Sequence, residues 1–220
     1  MECHMTTLPD PSRPFLPWAW PSLRLKRAID LVLVLGTLPL WGLTIFALAL
    51  LVGLGGGPVF FAQTRVGHQG RLFRMWKLRT MYRGAEGQMA QLLTDPALRS
   101  EWHRFGKLRN DPRVTPLGRI LGRYSLDELP QFWNVLRGEM SLVGPRPMLP
   151  GEIAREYGAL AHQVLSVRPG MTGPWQVQGG ALGYAARRRL DLDYAATANA
   201  RKDVALMLRT VAVIWRGGGV

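Results

Sequence analysis

The most apolar stretch of the chain runs from Ala28 to Leu54 and contains one charged residue, Asp30. About 20 apolar residues in a helix cross the hydrocarbon layer of a bilayer, so this stretch is long enough to do so. Pro39 stands near its middle, where proline removes a backbone hydrogen bond and bends a helix. The pattern therefore predicts a membrane helix with a kink at Pro39.

Basic residues flank this helix on both sides, so the positive-inside rule assigns no outward-facing end. A helix that enters the membrane, bends at Pro39 and returns to the same face satisfies both flanks; a spanning helix remains an open alternative. A signal peptide fits less well, because the stretch is longer than a signal core and no Ala-x-Ala-like site follows. Its length also argues against a core helix of a soluble protein. The flanking residues are Arg24, Lys26, Arg27, Arg65, Arg71, Arg74, Lys77 and Arg79.

The remaining pattern predicts a mainly helical fold with one small β-hairpin. The two strands of the hairpin are separated by a turn that Gly67 and Gly70 bracket. Apolar residues recur at helical spacing in most of the other segments. The predicted strands are 59–66 and 72–78, and the predicted helices are 84–105, 129–136, 152–164 and 204–215.

These elements divide the chain into three parts. Residues 1–22 contain five prolines, at positions 9, 11, 14, 17 and 21, and are predicted to form an irregular tail. Residues 23–56 form the membrane helix, which Gly55, Gly56 and Gly57 end. Residues 57–220 are long enough to bury a core of their own.

Composition narrows the function classes. The net charge of +13 predicts anionic partners: nucleic acid, a membrane surface or phosphorylated substrates. Cys3 is the only cysteine, which excludes an intrachain disulfide. The four histidines lack ligand spacing, which argues against a zinc site. Apolar residues at 47% and charged residues at 20% exclude a disordered chain.

Two adjacent carboxylates offer candidate chemistry. Asp127 and Glu128 precede Pro130, which favours the first turn of a helix, so both are predicted at a helix N-terminus. A carboxylate there stays ionised and can act as a nucleophile, with its neighbour holding Mg²⁺. The simpler interpretation is a capping box, since Ser125 and Glu128 have its spacing.

Basic and hydroxyl residues provide candidate phosphate ligands. Arg146 is held between two prolines, Pro145 and Pro147, and a fixed guanidinium suits bidentate phosphate recognition. Lys77 and Arg79 are predicted to share a face of the second strand. Arg113 and Thr115 form a further donor pair. Each residue alone is typical of a solvated surface, so the argument depends on their number around one acidic pair.

Five motifs stand out along the chain: residues 77–81, 111–115 with Gly118, 125–135, 138–147, and 168–173 with 175–177. They resemble the motifs of bacterial sugar transferases, the monotopic polyprenyl-phosphate phosphoglycosyl transferase family, in its short exopolysaccharide-initiating form. The resemblance runs from about Arg24 to the C-terminus. Relatives commonly carry arginine where this chain has Gly122, and Trp and Asn in place of Pro174 and Gln178.

The resemblance implies a re-entrant helix broken at Pro39, with residues 57–220 as a catalytic domain on the cytoplasmic face of the bacterial inner membrane. It also implies that Asp127 is the nucleophile, that Asp127 and Glu128 hold Mg²⁺, and that Arg146 and Pro147 contact the donor. The implied reaction moves a sugar-1-phosphate from a UDP-sugar to polyprenyl (undecaprenyl) phosphate through a phosphosugar-aspartate intermediate. This is the first membrane step of exopolysaccharide or glycan assembly. Membrane lipids are implied partners, a homodimer is compatible with the family, and nucleic acid is not expected.

Two other classes remain open on charge and apolarity alone. A membrane-anchored nucleic-acid-binding protein would show salt-sensitive binding of DNA or RNA without an essential acid. A membrane phosphatase would release free phosphate without a nucleotide-sugar.

Overall fold

The computed structural model describes residues 23–106, 108–178 and 182–217, so the predicted proline-rich tail lies outside the described residues. The described chain is mainly helical, with two small two-stranded sheets. The helices are α1 (Leu23–Gly36), α2 (Leu38–Leu54), α3 (Ala85–Leu92), α4 (Pro96–Phe105), α5 (Pro116–Arg123), α6 (Gln131–Leu136), α7 (Pro150–Tyr157), α8 (Ala161–Val164), α9 (Tyr184–Thr197) and α10 (Ala200–Trp215). The strands are β1 (Phe60–Val66), β2 (Leu72–Leu78), β3 (Ser141–Val143) and β4 (Gly170–Thr172).

The predicted membrane helix is two helices, α1 and α2, which meet at 59°. The break lies at Thr37 rather than at Pro39, which occupies the first turn of α2. This offset has a physical cause: a proline ring collides with the carbonyl four residues earlier, so the regular helix must stop before it. The Thr37 hydroxyl donates to the Leu33 carbonyl at 2.7 Å and closes the end of α1.

Among the described residues no single helix is long and apolar enough to cross a bilayer, whereas α1 and α2 together reach that length and apolarity. Large apolar side chains of α2 are exposed, including Leu40, Leu43 and Leu54 at 73%, 70% and 84%. The bend is compatible with a re-entrant segment. Its position in a membrane stays a prediction.

Polar side chains of α1 attach it to the rest of the chain. Arg27 donates to the carbonyls of Val135 and Leu136, at the C-terminal end of α6. The buried carboxylate of Asp30 accepts a hydrogen bond from the Ser141 hydroxyl at 2.7 Å. Residues that the sequence suggested as flanks of a membrane helix therefore also fix α1 against the larger domain.

The predicted hairpin is confirmed. Strands β1 and β2 pair antiparallel, with Phe60 opposite Leu78 and Val66 opposite Leu72. A 3₁₀ turn at His68–Gly70 joins them. The second sheet, the parallel pair of β3 and β4, was not predicted because each strand has only three residues.

Two predicted helices are each interrupted. Residues 84–105 form α3, which ends at Leu92, and α4, which Asp95 caps by accepting from the Ala97 amide at 2.7 Å. Residues 152–164 form α7 and α8 with a 3₁₀ turn between them. Gly158, with φ of 47°, stands at that interruption, and such a conformation is costly within a helix.

Candidate functional site

The two adjacent carboxylates lie in a 3₁₀ turn, Leu126–Glu128, between α5 and α6. The predicted capping box is absent, because Ser125 has φ of 53° and its side chain makes no cap hydrogen bond. Pro130 precedes α6 as its N-cap residue instead of standing inside its first turn. The pair is therefore presented by a turn rather than by the helix N-terminus that the sequence predicted.

Lys77 of β2 reaches both carboxylates. Its Nζ lies 3.3 Å from Asp127 Oδ2 and 2.7 Å from Glu128 Oε1. Arg146 adds a second cation, with a terminal nitrogen 3.8 Å from the same Glu128 oxygen. The structure thus brings together four of the predicted site residues, two anionic and two cationic, from three separate segments of the chain.

The two carboxyl groups have different proton affinities. Burial raises the pKa of Asp127, and Lys77 offsets this only in part. Burial also acts on Glu128, but there Lys77 and Arg146 outweigh it and lower the pKa. The two carboxylates raise the pKa of Lys77 in spite of its burial. Glu128 and Lys77 are therefore a stable ion pair, and Asp127 is a more basic carboxylate than an ordinary aspartate.

A polar cleft of about 120 Å³ adjoins this pair. Two guanidinium groups, of Arg146 and Arg187, lie over the Trp175 ring at 5.3 and 5.2 Å. Cationic and aromatic side chains so arranged favour an anionic ligand with a planar group. The cleft is lined by Arg65, Phe105, Gly106, Arg146, Glu152, Trp175, Tyr184 and Arg187.

Arg65 and Arg187 are site residues that the sequence reasoning missed. Arg65 donates to the Pro147 carbonyl at 3.1 Å, and burial lowers its pKa to about 10. Arg187 donates to the Arg146 carbonyl at 3.2 Å. Both therefore fix the backbone of the proline-flanked segment. No feature of the neighbouring sequence indicates a site role for either residue. Arg65 is one of the charges that flank the predicted membrane helix, and Arg187 is one of three consecutive arginines.

A buried acid supports Arg187 from behind. Asp191 is fully buried on α9, and its Oδ2 lies 3.5 Å from Arg187 Nε. The Tyr157 hydroxyl donates to the same oxygen at 2.6 Å. Burial raises the pKa of Asp191 to about 6, against the lowering effect of Arg187.

Three predicted phosphate ligands are engaged elsewhere. Strand β2 ends at Leu78, so its alternation does not extend to Arg79, which donates to the Val52 carbonyl at 3.2 Å. Arg113 is buried and paired with Asp111 at 2.5 Å. The Thr115 hydroxyl caps α5 by accepting from the Gly118 amide. Arg79, Arg113 and Thr115 hold the local fold, and none is in contact with the acidic pair within the described part of the chain.

The three sequence departures also have defined positions. Gly122 lies on α5 with nothing within 4 Å of where a Cβ would stand, so that face is open. Pro174 is buried and Gln178 is exposed, on either side of the cleft residue Trp175. Nothing in the structure explains these differences.

The donor chemistry of the acidic pair fits magnesium. Within residues 23–106, 108–178 and 182–217, no cluster of three or more His, Cys, Asp or Glu side chains is placed to hold a metal ion. Mg²⁺ is usually bound by one or two carboxylates together with substrate phosphates. Asp127 and Glu128 supply the two carboxylates of such a set, so the residues fit Mg²⁺ bound jointly with a phosphorylated substrate.

Comparison with known proteins points to one family. The family model described as bacterial sugar transferase matches residues 21–217. A UDP-galactose-lipid carrier transferase of Erwinia amylovora is 40% identical over 197 residues, which cover 89% of this chain and 41% of that protein. The undecaprenyl-phosphate galactose phosphotransferase of Salmonella typhimurium has the same identity and coverage.

A relative of similar length also matches. The exopolysaccharide production protein ExoY of Sinorhizobium fredii is 36% identical over 192 residues, covering 86% of this chain and 84% of that protein. The chain therefore spans about two fifths of the Erwinia and Salmonella proteins and most of the Sinorhizobium one.

Proposed function

The chain belongs to the bacterial sugar transferase family, and from this premise we propose that it transfers a sugar-1-phosphate from a UDP-sugar to undecaprenyl phosphate. The observation that supports this most directly is the contact of Lys77 with both Asp127 and Glu128, next to Arg146. The relatives' names supply the substrate class: a UDP-galactose-lipid carrier transferase and an undecaprenyl-phosphate galactose phosphotransferase.

In the first step, an Asp127 oxygen attacks the phosphorus that bears the sugar. A new bond forms between that oxygen and phosphorus, the phosphoanhydride bond breaks, and UMP leaves with the bonding electrons. The high proton affinity of the buried Asp127 carboxylate makes its ionised form a stronger nucleophile. Arg146 is placed to contact the donor diphosphate from the adjoining cleft.

In the second step, an oxygen of the lipid phosphate attacks the same phosphorus. The bond to Asp127 breaks, and its carboxylate is regenerated as the lipid-diphosphate-sugar leaves. One phosphoanhydride replaces another, so no further energy source is required. Lys77 and Arg146 neutralise charge on the transferring group, where most catalysis of phosphoryl transfer lies.

Mg²⁺ would be held by Glu128 and Asp127, and when bound it supplies further positive charge to the phosphate oxygens. The chain's own residues hold the geometry around it: Lys77 orients both carboxylates, and Arg65 and Arg187 fix the Arg146 segment. The Glu128–Lys77 ion pair stays charged through the cycle, while Asp127 alternates between a free carboxylate and an acyl phosphate, the mixed anhydride that it forms with the phosphosugar.

The substrates favour a position at the cytoplasmic face of the bacterial inner membrane. The donor is soluble in water and the acceptor is lodged in lipid, so the site must meet both. The exposed apolar side chains of α2 and the bend at Thr37 support a re-entrant anchor for residues 57–220. Such an enzyme would catalyse the first membrane step of exopolysaccharide or glycan assembly.

Lipid-dependent release of UMP tests this function. The purified chain in nanodiscs, with Mg²⁺ and undecaprenyl phosphate, is assayed against a panel of UDP-sugars. We expect one donor to release UMP stoichiometrically with formation of the lipid product. Release of free phosphate without a nucleotide-sugar would identify a phosphatase instead, and absence of UMP with every donor would overturn the transferase assignment.

A further inference from the structure

An apolar cavity of about 280 Å³ lies beside the acidic pair, between α6, the β3–β4 sheet and α10. Most of its lining side chains are apolar, and its polar lining consists of Ser125, Glu128, Thr172, Gln176 and Thr210. The apolar lining includes Leu129, Phe132, Leu142, Met171, Met207 and Ile214. An apolar cavity that reaches a charged site points to a ligand with an apolar chain and a polar end.

The side-chain amide of Gln176 is not fully hydrogen-bonded. Its side chain is 8% exposed, and its Oε1 is buried with no hydrogen-bond partner among the described residues. Buried amide groups nearly always have partners, so the unpaired Oε1 calls for a donor such as a water molecule, and the Nε2 amide of the same side chain can donate to a phosphate oxygen in the cavity. Gln176 belongs to the 3₁₀ turn that follows Trp175, the aromatic residue of the polar cleft.

One face of α10 forms a wall of the cavity. Met207, Thr210 and Ile214 recur at helical spacing and line it. The neighbouring face of the helix is exposed, with Leu208 at 68% and Trp215 at 85%. Thr210 fixes the helix by a 2.5 Å hydrogen bond to Thr172 of β4.

The opposite wall is shared with the predicted membrane segment. Phe132, Leu142 and Met171 pack against the buried cluster that contains Val34 of α1. The ring of Phe132 also stacks on Trp41 of α2, with centroids 5.2 Å apart. The cavity therefore has the contact of α1 and α2 with the larger domain on one side and the acidic pair, Asp127 and Glu128, on the other.

We propose that this cavity binds the first isoprene units of the acceptor lipid, with the lipid phosphate at the end marked by Glu128 and Gln176. The assignment rests on the proposed function. Of the two substrates, only the acceptor joins an apolar chain to a phosphate, whereas the donor is polar throughout. The Glu128 charge does not repel the phosphate strongly, because Lys77 and Arg146 neutralise it.

Filling the cavity tests the proposal. Ile214→Trp adds bulk at the inner face of α10, and Leu208→Trp makes the same addition on the outer face as a matched control. For Ile214→Trp we expect kcat/KM for undecaprenyl phosphate to fall roughly tenfold or more, as for a misfitted apolar substrate. Leu208→Trp should keep the native value. An unchanged kcat/KM in Ile214→Trp would overturn the proposal.

A second readout separates this assignment from the function itself. Exchange of labelled UMP into the UDP-sugar, without acceptor, reports the first step alone and should be native in both variants. If the native enzyme shows neither exchange nor transfer, the proposed function fails. If native exchange and transfer both occur while Ile214→Trp keeps its kcat/KM for the lipid, only the cavity assignment fails.

Photolabelling keeps the test valid if Ile214→Trp does not fold. A polyprenyl phosphate with a photoreactive group on its second isoprene unit is bound to the native enzyme and irradiated. We expect labelled peptides from α6, the β3–β4 sheet or α10, lost on competition with unmodified lipid. Labelling confined to other segments would contradict the proposal.

Discussion

At the scale of single residues, the two neighbouring carboxylates of the candidate site differ in the direction of their pKa shifts. Asp127 is buried and Glu128 is partly buried in one turn, yet burial raises the pKa of the first while the nearby cations lower that of the second. Lys77 lies closer to Glu128 than to Asp127, at 2.7 against 3.3 Å. One carboxylate is thereby kept as a fixed anion, and the other is left as the more basic group.

Removal of the shared cation should therefore affect Asp127 most. In Lys77→Met the two carboxylates lose their common partner, so the pKa of Asp127 rises further and less of it is ionised at neutral pH. We expect activity to fall about a hundredfold, and its acid limb to move to higher pH, as measured by a pH–rate profile. Lys202→Met, which removes a more exposed ion pair with Asp193, should leave the activity and the acid limb of the pH–rate profile unchanged. An unshifted acid limb would contradict this account.

The sequence predicted the central residues of the site but not their surroundings. Asp127, Glu128, Lys77 and Arg146 lie together in the structure, and each stands in one of the motifs defined in the sequence; their roles stay a prediction. The helix-start environment expected for Asp127 was wrong: Ser125 adopts a left-handed conformation and places both acids in a 3₁₀ turn. Burial, which raises the pKa of Asp127, depends on packing and could not be inferred from neighbouring residues.

At the scale of elements, α9 supports the Arg146 side of the candidate site from outside it. Arg187 joins its buried partner Asp191 to the Arg146 backbone, and Tyr157 of α7 completes the link. This support was not visible in the sequence, because a run of basic residues in an exposed-looking helix has no signature of burial. Arg187 and Arg146 are also 41 positions apart in the sequence, so no local pattern connects them.

Asp191 should make stability depend on pH. Its pKa is raised to about 6 from a reference of 3.8, so the folded state binds the proton more tightly than the unfolded state. The contribution of the protonated Asp191 to the free energy of unfolding is present at low pH and is lost as the pH rises through about 6. An asparagine side chain cannot ionise, so the free energy of unfolding of Asp191→Asn does not fall with pH for this reason. Between pH 4 and 7 it should rise, relative to that of the native chain, by up to about 3 kcal/mol.

Thermal unfolding in nanodiscs across that pH range checks this prediction. The same variant leaves Arg187 without its counter-charge, so KM for the UDP-sugar should rise as the Arg146 segment loses its support. Asp193→Asn on the same helix, with a half-exposed carboxylate, is the matched control. A stability difference that does not vary with pH would refute the assigned role.

Boundaries of elements were the least predictable feature of the fold. The hairpin was predicted almost to the residue, since alternation and flanking glycines define it locally. The β3–β4 pair was missed because its strands are short and far apart in sequence. Close backbone contact fixes that pair: a Cβ on Gly170 would lie 2.0 Å from the Gly144 nitrogen.

At the scale of the whole molecule, the bent pair of helices is joined firmly to the larger domain. Arg27 and Asp30 bind backbone and side-chain groups of α6 and β3, and Val34 is fully buried in the same contact. The same segment carries exposed apolar residues on α2. The chain is thus built so that a membrane position of α2 would fix the height of the acidic pair above the lipid.

The bend should decide on which face the N-terminus lies. Cys3, the only cysteine, reports this by its reaction with an impermeant maleimide in oriented vesicles. In the native chain we expect Cys3 to react from the same face as the domain. Pro39→Ala restores a backbone donor and favours a continuous helix over residues 23–54, so labelling from the opposite face should increase. Gly42→Ala, in the same helix, should label as the native chain does; opposite-face labelling of the native chain would show a spanning helix instead.

The central claim is that Asp127 carries the phosphosugar, and intact-mass measurement tests it most directly. The native chain in nanodiscs is incubated with Mg²⁺ and the UDP-sugar that it uses, without acceptor, then quenched in acid. We predict an adduct with the mass of one sugar phosphate, mapped by peptide analysis to Asp127, absent from Asp127→Asn and discharged by undecaprenyl phosphate. An adduct on another residue, or full turnover by Asp127→Asn, would contradict the mechanism.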